Sequence, residues 1–515
     1  MIGDPVLPMQ HATSFEFAGH ILDLRQGRLR KGGVDVALRR KSLSLLTYLV
    51  QNSGRVLGKD ELLTAIWPDV EVSDDSLAQC MKDIRKVLGS EGTDFIRTVP
   101  RRGYVVDDSE VHPLRDEPAA ANPSVAVLPF AVMSSEPEQE FFAHGLVEDI
   151  LATLSKLSGL SVIAHHSSFA YKGGTVDISQ IAQELGVRFV LEGGVQKSGD
   201  RLRITVQLND ATSGTQIWAE RFDRSIKDLF AIQDEITLTL ATEMQVRLTE
   251  GEQARLRYTT TTNVEAWNLW IQGLNHSRSS HGTDFHVQAC RCWEKALTLD
   301  PNSAALMGML AFRYFADARH GYTEAPRAVS LNKAEVYVEK ALAIDPENPD
   351  AHRAAAGILL LRQEFEDATI AARRAIKFGP SMADVLGFSA FVLTSCGRAT
   401  EAIGHAEKAI ALSPKHPGWY FGVLGNAYRL AGRRDAALEA FRGHHAREPG
   451  FGLADIVIIQ EQAGLMEEAR ATAQQLAILR PSFTVASFTR TQFRSDGEQL
   501  AKDIASLRAA GVREI

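Results

Sequence analysis

Cysteine is scarce, with four in 515 residues. Cys80, Cys290, Cys292 and Cys396 are too few for a disulfide framework in a chain this long, and they read as reduced thiols. Long apolar runs are also missing. The best, at residues 385–395 and 453–459, fall far short of the ~18–20 residues a membrane helix needs. The opening MIGDPVLPMQHATSF has no basic region followed by an apolar stretch, so no export signal is expected. Nor is there an excess of positive charge: 56 Lys and Arg against 64 Asp and Glu leave a net −8. That excludes a chain that coats nucleic acid or anionic membrane with its whole surface, and any nucleic-acid contact must be local. A soluble, cytoplasmic protein with no membrane partner is expected. A 45% hydrophobic, 23% charged composition excludes disorder, and at ~100–200 residues per domain it predicts roughly three domains.

The clearest pattern lies in the C-terminal half, where Pro301, Pro346, Pro380, Pro414, Pro449 and Pro481 recur at intervals of 45, 34, 34, 35 and 32. Each closes a similar phrase, among them CWEKALTLDP, YVEKALAIDP and HAEKAIALSP, a helix ending in a proline stop. Ala402, Ala437 and Ala469 each follow a turn glycine (Gly397, Gly432, Gly464) by five positions, and Ala368 occupies the same place in its unit. Small residues there let paired helices approach closely. A period near 34 with Leu424, Gly425, Tyr428, Ala437, Phe441 and Pro449 in place resembles the tetratricopeptide (TPR) consensus. The resemblance implies about six helix–turn–helix units over residues 262–482, the first two with lengthened turns. Residues 483–515 then supply a capping helix with Leu500, Ile504 and Leu507 on one face and charge elsewhere.

Ahead of the repeats, SVAVLPF reads as a buried strand. Phe142, Leu146, Ile150, Leu154 and Leu157 lie on one face of the following helix, and LSVIA is a second strand. DISQIAQELG is a short helix, while Leu202, Ile204, Val206 and Leu208 alternate beyond the KSGD turn as in a half-buried hairpin. Trp218 and Phe222 lie on a further strand. Residues 123–248 thus form an α/β domain with a mixed sheet. Its run LEGGVQKSGDRLRITVQLNDATSGTQIWAERFD resembles the TolB amino-terminal (FlgO-like) module. Residues 108–122, with three prolines and no periodicity, read as a linker.

At the N-terminus, residues 15–38 carry short apolar runs broken by glycines, as in a small antiparallel sheet. A helix with Leu43, Leu46, Leu49 and Val50 on its core face follows, and then LGKDELLTAIW with Pro68 as its stop. The third helix is the informative one. Ser73 is a natural N-cap, Asp74 and Asp75 suit the first turn, and Leu77, Cys80, Met81, Ile84 and Leu88 share one face. Gln79, Lys82, Asp83 and Lys86 share the opposite face. Next comes FIRTVPRRGYVV, two short strands around a turn with Arg97, Arg101 and Arg102, and Tyr104 on the returning strand. A donor-rich helix followed by a basic hairpin is how a winged helix reads duplex DNA.

The order of sheet, helices and hairpin, with the signature IRTVPRRGY, resembles the OmpR/PhoB-type winged helix over residues 13–107, particularly its receiver-less ToxR/CadC/HilA-like members. The resemblance implies base reading by Ser76, Gln79, Lys82 and Asp83, and phosphate contact by Arg85, Arg101 and Arg102. Lys86, Arg97 and Tyr104 complete the expected DNA surface. Asp83 departs from the pattern, because related helices often carry a base there. Residues 13–107 hold 15 Lys and Arg against 13 Asp and Glu, a net +2, which leaves −10 on the rest. Only about a dozen residues precede the sheet, so no receiver domain, and hence no phosphorelay, is expected before it.

The expected fold class is multidomain: a winged helix-turn-helix, an α/β mixed-sheet domain and an all-α TPR solenoid. The expected function is sequence-specific transcriptional regulation, with the α/β and TPR portions receiving an effector or partner. The implied partners are double-stranded promoter DNA, a protein or peptide in the TPR array, RNA polymerase, and a second copy of the chain on DNA. No cofactor, metal or enzymatic site is expected. Gly173-Gly174 and Gly193-Gly194 do not fit phosphate-loop spacing. His144 with Glu148 reads as a surface pair, and His286 with Cys290 lacks the further ligands of a zinc site. His165-His166 and His444-His445 read as packing or surface residues. Trp419, Asn426 and Arg429 fall on the groove side of the best-matched repeat. Two other classes stay open: a TPR scaffold whose winged helix contacts protein, and a nucleotide-related signalling enzyme.

Overall fold

The computed structural model describes residues 14–18, 20–23, 28–31, 34–36, 38–66, 74–88, 95–100, 102–106, 111–114, 122–132, 137–171, 177–246, 261, 263–278 and 284–515. The expected N-cap Ser73, the stop Pro68, Arg101 and the pair Gly173-Gly174 lie outside these. The chain divides into two compact units, residues 1–121 and 122–515.

The first unit opens with strands β1 (Ser14–Phe17), β2 (His20–Asp23), β3 (Arg28–Lys31) and β4 (Val34–Val36), each antiparallel to the next. Phe15, Phe17, Leu22 and Leu29 are buried beneath helices α1 (Arg40–Gln51), α2 (Lys59–Ile66) and α3 (Asp74–Leu88). On α1 the deepest residues are Leu45, Leu46, Leu49 and Val50, whereas Leu43, expected on that face, is half-buried. Strands β5 (Ile96–Val99) and β6 (Gly103–Val106) form the wing hairpin. The expected linker at 108–122 is in part structured. Strand β7 (His112–Leu114) adds antiparallel to β1, making the sheet order β4-β3-β2-β1-β7. Proline hid it from pattern reading; Pro113 is tolerated because β7 is an edge strand with one side unpaired.

The second unit begins with a mixed sheet. Strands β8 (Ser124–Val127), β9 (Ala131–Val132), β10 (Ser161–Val162), β11 (Phe189–Ser198), β12 (Arg201–Asp210) and β13 (Thr215–Ser225) take the order β10-β8-β11-β12-β13, with β9 also on β11. The pairs made by β8 and β9 are parallel; those of β11 with β12 and β12 with β13 are antiparallel. The alternating Leu202, Ile204, Val206 and Leu208 are all fully buried, each contributing about 1.5–3 kcal/mol. They face helices α4 (Pro137–Leu154) and α7 (Leu229–Glu243). Between these come α5 (His165–Ser168) and α6 (Ile178–Leu185), the latter capped by Asp177 and closed by left-handed Gly186.

Six helix pairs follow, the number read from the proline period: α8 (Val264–Arg278) with α9 (Asp284–Leu299), α10 (Ala304–His320) with α11 (Arg327–Ile344), α12 (Pro349–Leu361) with α13 (Phe365–Phe378), α14 (Ala383–Ser395) with α15 (Ala399–Leu412), α16 (Trp419–Leu430) with α17 (Arg434–Arg447), and α18 (Leu453–Gln462) with α19 (Met466–Leu479). Ala368, Ala402, Ala437 and Ala469 are fully buried where the paired helices meet. The cap holds two helices rather than one, α20 (Val485–Thr491) and α21 (Gly497–Ala509). Its charge is not all outside: Asp503 is fully buried, held by Arg429 at 2.8 Å and Arg494 at 2.5 Å. Arg429 therefore belongs to this cap lock, not to the groove.

The α/β domain and the repeats are not separate bodies. One apolar core runs from Val125 through Trp267 to Ala440. Asp149 on α4 accepts hydrogen bonds from Gln233 Nε2 at 2.9 Å and from the Trp267 indole. Among the described residues no helix is long and apolar enough to cross a membrane.

Candidate nucleic-acid interface

Helix α3 buries Leu77, Cys80, Met81, Ile84 and Leu88, the stripe read from its spacing. That burial fixes its rotation and leaves Gln79, Lys82 and Lys86 exposed on the outer face, with Ser76 half-buried beside them. Lys82 and Lys86 stand one turn apart, about 5–6 Å between their Cβ atoms. At 1.5 Å per residue the helix is about 22 Å long, and one such cylinder fills a DNA major groove.

Two residues of the expected surface have other occupations. Asp83 is turned toward the start of α1: Ser42 Oγ donates to it at 3.3 Å, Arg39 lies 3.6 Å away, and its second oxygen accepts from Gln79 Nε2 at 3.0 Å. It holds Gln79 in place, and only a fifth of its side chain is exposed. Arg85 donates to the Ile96 carbonyl at 2.8 Å and to Thr98 Oγ1 at 3.0 Å. It ties α3 to the first wing strand and is half-buried.

The wing is pinned independently. The amide of Leu57 donates to the Tyr104 carbonyl at 2.8 Å and the Tyr104 amide to the Leu57 carbonyl at 3.0 Å, so the loop between α1 and α2 serves as a third strand. The Tyr104 side chain is half-buried against the core, while Arg97 and Arg102 are exposed. Arg39, 76% exposed and immediately before α1, is a cation the sequence reading missed. Its only sequence signal is its place ahead of a helix start.

The weaker candidates resolve as follows. Glu148 is buried and lies 3.0 Å from His165 Nε2, so it is not the surface residue expected. Cys290 Sγ meets His286 Nε2 at 3.7 Å, but among the described residues no group of three ligands could hold a metal. Burial pushes the Cys290 thiol up to about 12. Because a thiol must ionise to react, Ellman's reagent at neutral pH should label half-buried Cys292 well before Cys290. A slower Cys292 would contradict this.

The N-terminal unit is an OmpR/PhoB-type winged helix, the kind of domain that DNA-binding transcriptional regulators carry. Residues 33–106 match the family "Transcriptional regulatory protein, C terminal", and residues 121–239 match "HilA/YgeH-like transcriptional regulator, second domain". Along most of its length the chain is similar to HilA. It is 21% identical to the transcriptional regulator HilA of Salmonella typhi over 468 residues, spanning 90% of this chain and 82% of that protein. The transcriptional activator CadC of Escherichia coli is 32% identical over 80 residues, 15% of this chain and 16% of its own. A putative adenylate cyclase 3 of Rhizobium meliloti is 39% identical over 251 residues, 48% of this chain and 42% of that protein. The chain thus spans less than half the length of this last relative.

Proposed function

We propose that the chain binds promoter duplex sequence-specifically by laying α3 in the major groove, with the wing on the flanking backbone. The observation that carries the reading is the exposed ridge of Gln79, Lys82 and Lys86 beside an anchored basic hairpin. Gln79, oriented by Asp83, reads a base edge; Lys82, Lys86 and wing residues Arg97, Arg101 and Arg102 meet phosphates. Asp83 and Arg85 act through other residues, the first by aiming Gln79 and the second by fixing the wing to α3. The protein works in the cytoplasm, on DNA as a homodimer in contact with RNA polymerase. Its α/β and TPR portion receives an effector or protein partner.

The test is fluorescence anisotropy of the full chain on genomic promoter fragments across a salt series. Lys82→Ala and Arg102→Ala should each weaken binding on all sequences and lower the salt slope by about one. Gln79→Ala should relax preference at one base position by about 1–3 kcal/mol. Equal losses on every sequence for Gln79→Ala would end the base-reading assignment. A wild-type chain that prefers no fragment over random duplex would end the regulator reading.

The likeness to a putative cyclase favours one second reading, a nucleotide-related enzyme. We propose instead that this chain is not an enzyme and that the shared part is a receiving module. Steady production of cyclic AMP from ATP by the purified chain would reverse that choice.

A further inference from the structure

In the second unit the α/β domain is docked along the inner side of the repeats. The Ala164 amide donates to the Leu412 carbonyl at 2.7 Å, Ser381 Oγ to the Leu160 carbonyl at 2.6 Å, and the Lys415 amide to Ser167 Oγ at 2.9 Å. Toward the first repeat, Gly145 on α4 packs so tightly on α8 that a Cβ there would meet Ile271 and Trp267 at 2.5–2.6 Å. A cavity of about 1080 Å³ remains, lined by α4, α5 and the first helix of all six pairs. That is at the top of the ~300–1,000 Å³ range of small-molecule sites.

The lining is largely apolar, with Phe312, Phe388 and Trp419 among its walls, yet it holds Arg319, for which no carboxylate partner is found among the described residues, and Arg313, which makes no ion pair there and, among carboxylates, feels only the charge of Asp384 across the cavity. Arg319 lies over the Phe391 ring at 4.3 Å, and its Nε meets no acceptor. Burial pulls it down to about 10. Among the described residues the Arg313 guanidinium donates hydrogen bonds to neutral Ser277 and lies over the Trp293 ring at 6.0 Å. By contrast, Arg353 in the same cavity is paired with Asp350 at 2.7 Å and stacked on Phe312 at 3.7 Å. A guanidinium out of bulk water without a counter-charge is costly. In a chain with eight more acidic than basic residues, leaving Arg319 so placed, with the unpaired Arg313 on the same helix, points to an anion from outside.

We infer that this cavity binds a small organic anion, with an aromatic or apolar body among Phe312, Phe388 and Trp419 and its acidic group received by Arg319 and Arg313. Arginine suits that role because its planar fork pairs with carboxylate, sulfonate or phosphate in two bonds while its face stacks on a ring. The inference rests on the reading of this unit as the receiving module, and it supplies the chemical class of the effector.

The probe is 8-anilinonaphthalene-1-sulfonate, titrated into the full chain beside N-phenyl-1-naphthylamine, the same body without the sulfonate. The sulfonate should bind at one saturable site at least tenfold more tightly than its neutral counterpart. It should also raise the melting temperature of the wild-type chain further at equal concentration. Arg319→Gln should lower sulfonate affinity at least tenfold and change affinity for the neutral probe less than twofold. Its melting temperature without probe should not fall, since an uncompensated charge has been removed. Equal affinities and equal thermal shifts for the two probes on the wild type would overturn the inference, and that comparison does not depend on any variant folding. Unchanged sulfonate binding by Arg319→Gln would also overturn it, as would many weak sites, the result expected if the groove serves an extended peptide. No DNA is present in these titrations, so their failure leaves the promoter reading intact, and loss of promoter binding leaves the cavity standing.

Discussion

Gly103→Ala should abolish promoter binding by the full chain while leaving the unfolding of the C-terminal unit where it is. Gly103 starts the returning wing strand at φ +130, a conformation that L side chains rarely adopt. A Cβ there would lie 1.9 Å from the Leu57 carbonyl oxygen and 2.8 Å from its carbon. Both obstructing atoms are backbone, so no side-chain rotation relieves the clash. The strand must leave Leu57 and give up the paired hydrogen bonds of Leu57 with Tyr104, and with them the bond from the Gly54 amide to the Val106 carbonyl at 2.8 Å. Three bonds at about 0.5–1.5 kcal/mol each, with about 1–3 kcal/mol of backbone strain, make a loss of about 2.5–7.5 kcal/mol. That is a large share of the ~5–15 kcal/mol that holds a domain folded. Circular dichroism should show an early transition for the N-terminal unit alone. Promoter affinity within threefold of wild type would show that the wing does not position the DNA contacts.

Asp503→Asn should cost the C-terminal end of the repeat array at least ~3 kcal/mol, because breaking one side of a buried ion pair strands the other. Two guanidiniums, Arg429 and Arg494, share this one carboxylate, and all three side chains are at most 7% exposed. Gln462 Nε2 and Gln499 Nε2 also donate to it, at 3.1 and 2.9 Å. Burial alone would raise Asp503, but Arg429, Arg494 and these donors hold it below the usual carboxylate range. Arg494, by contrast, is held less firmly in its charged form, since burial and neighbouring Arg429 oppose the pull of Asp503. The sign of the pH effect follows the carboxylate, the member both cations share. Its folded value lies below its unfolded value of about 4. The stabilisation is therefore complete above pH ~4 and is lost as pH falls through the lower folded value. Urea unfolding at pH 7 should show the C-terminal transition moved to lower denaturant in the variant. The gap between variant and wild type should close in strong acid. A gap that stays constant with pH would mean that Asp503 contributes through packing alone.

The sequence was most legible where one local periodicity decides the outcome. The buried stripe of α3, the six repeat pairs and the alternating strand of residues 201–210 follow from spacing. The failures are tertiary. Nothing near Asp83 in the chain reveals that Ser42 and Arg39 lie beside it, and nothing near Arg85 points to the Ile96 carbonyl. Asp83 therefore read as a member of the exposed polar face, and Arg85, through the family resemblance, as a phosphate contact. Strand β7 was obscured by Pro113, which a central strand would reject but an edge accepts. Asp503 looked like ordinary surface charge on an amphipathic helix, since its arginine partners are 74 and 9 residues away. The cavity has no linear signature, because its walls come from stretches of chain, from α4 to the last helix pair, that meet only after folding.

A stack of helix pairs whose members touch only their immediate neighbours is elastic, and small rotations at each joint add up along its length. In this protein that freedom is curtailed. Gly145 is pressed against the first pair, while Ala164 and Ser167 are bonded to the turn that follows the fourth. The spring is thus held at both ends of its first four coils, and again at Ser381 between the third and fourth, by one brace made of α4 and the segment to α5. A molecule wedged between brace and coils would have to strain several joints together, so the array would respond to it as a single piece.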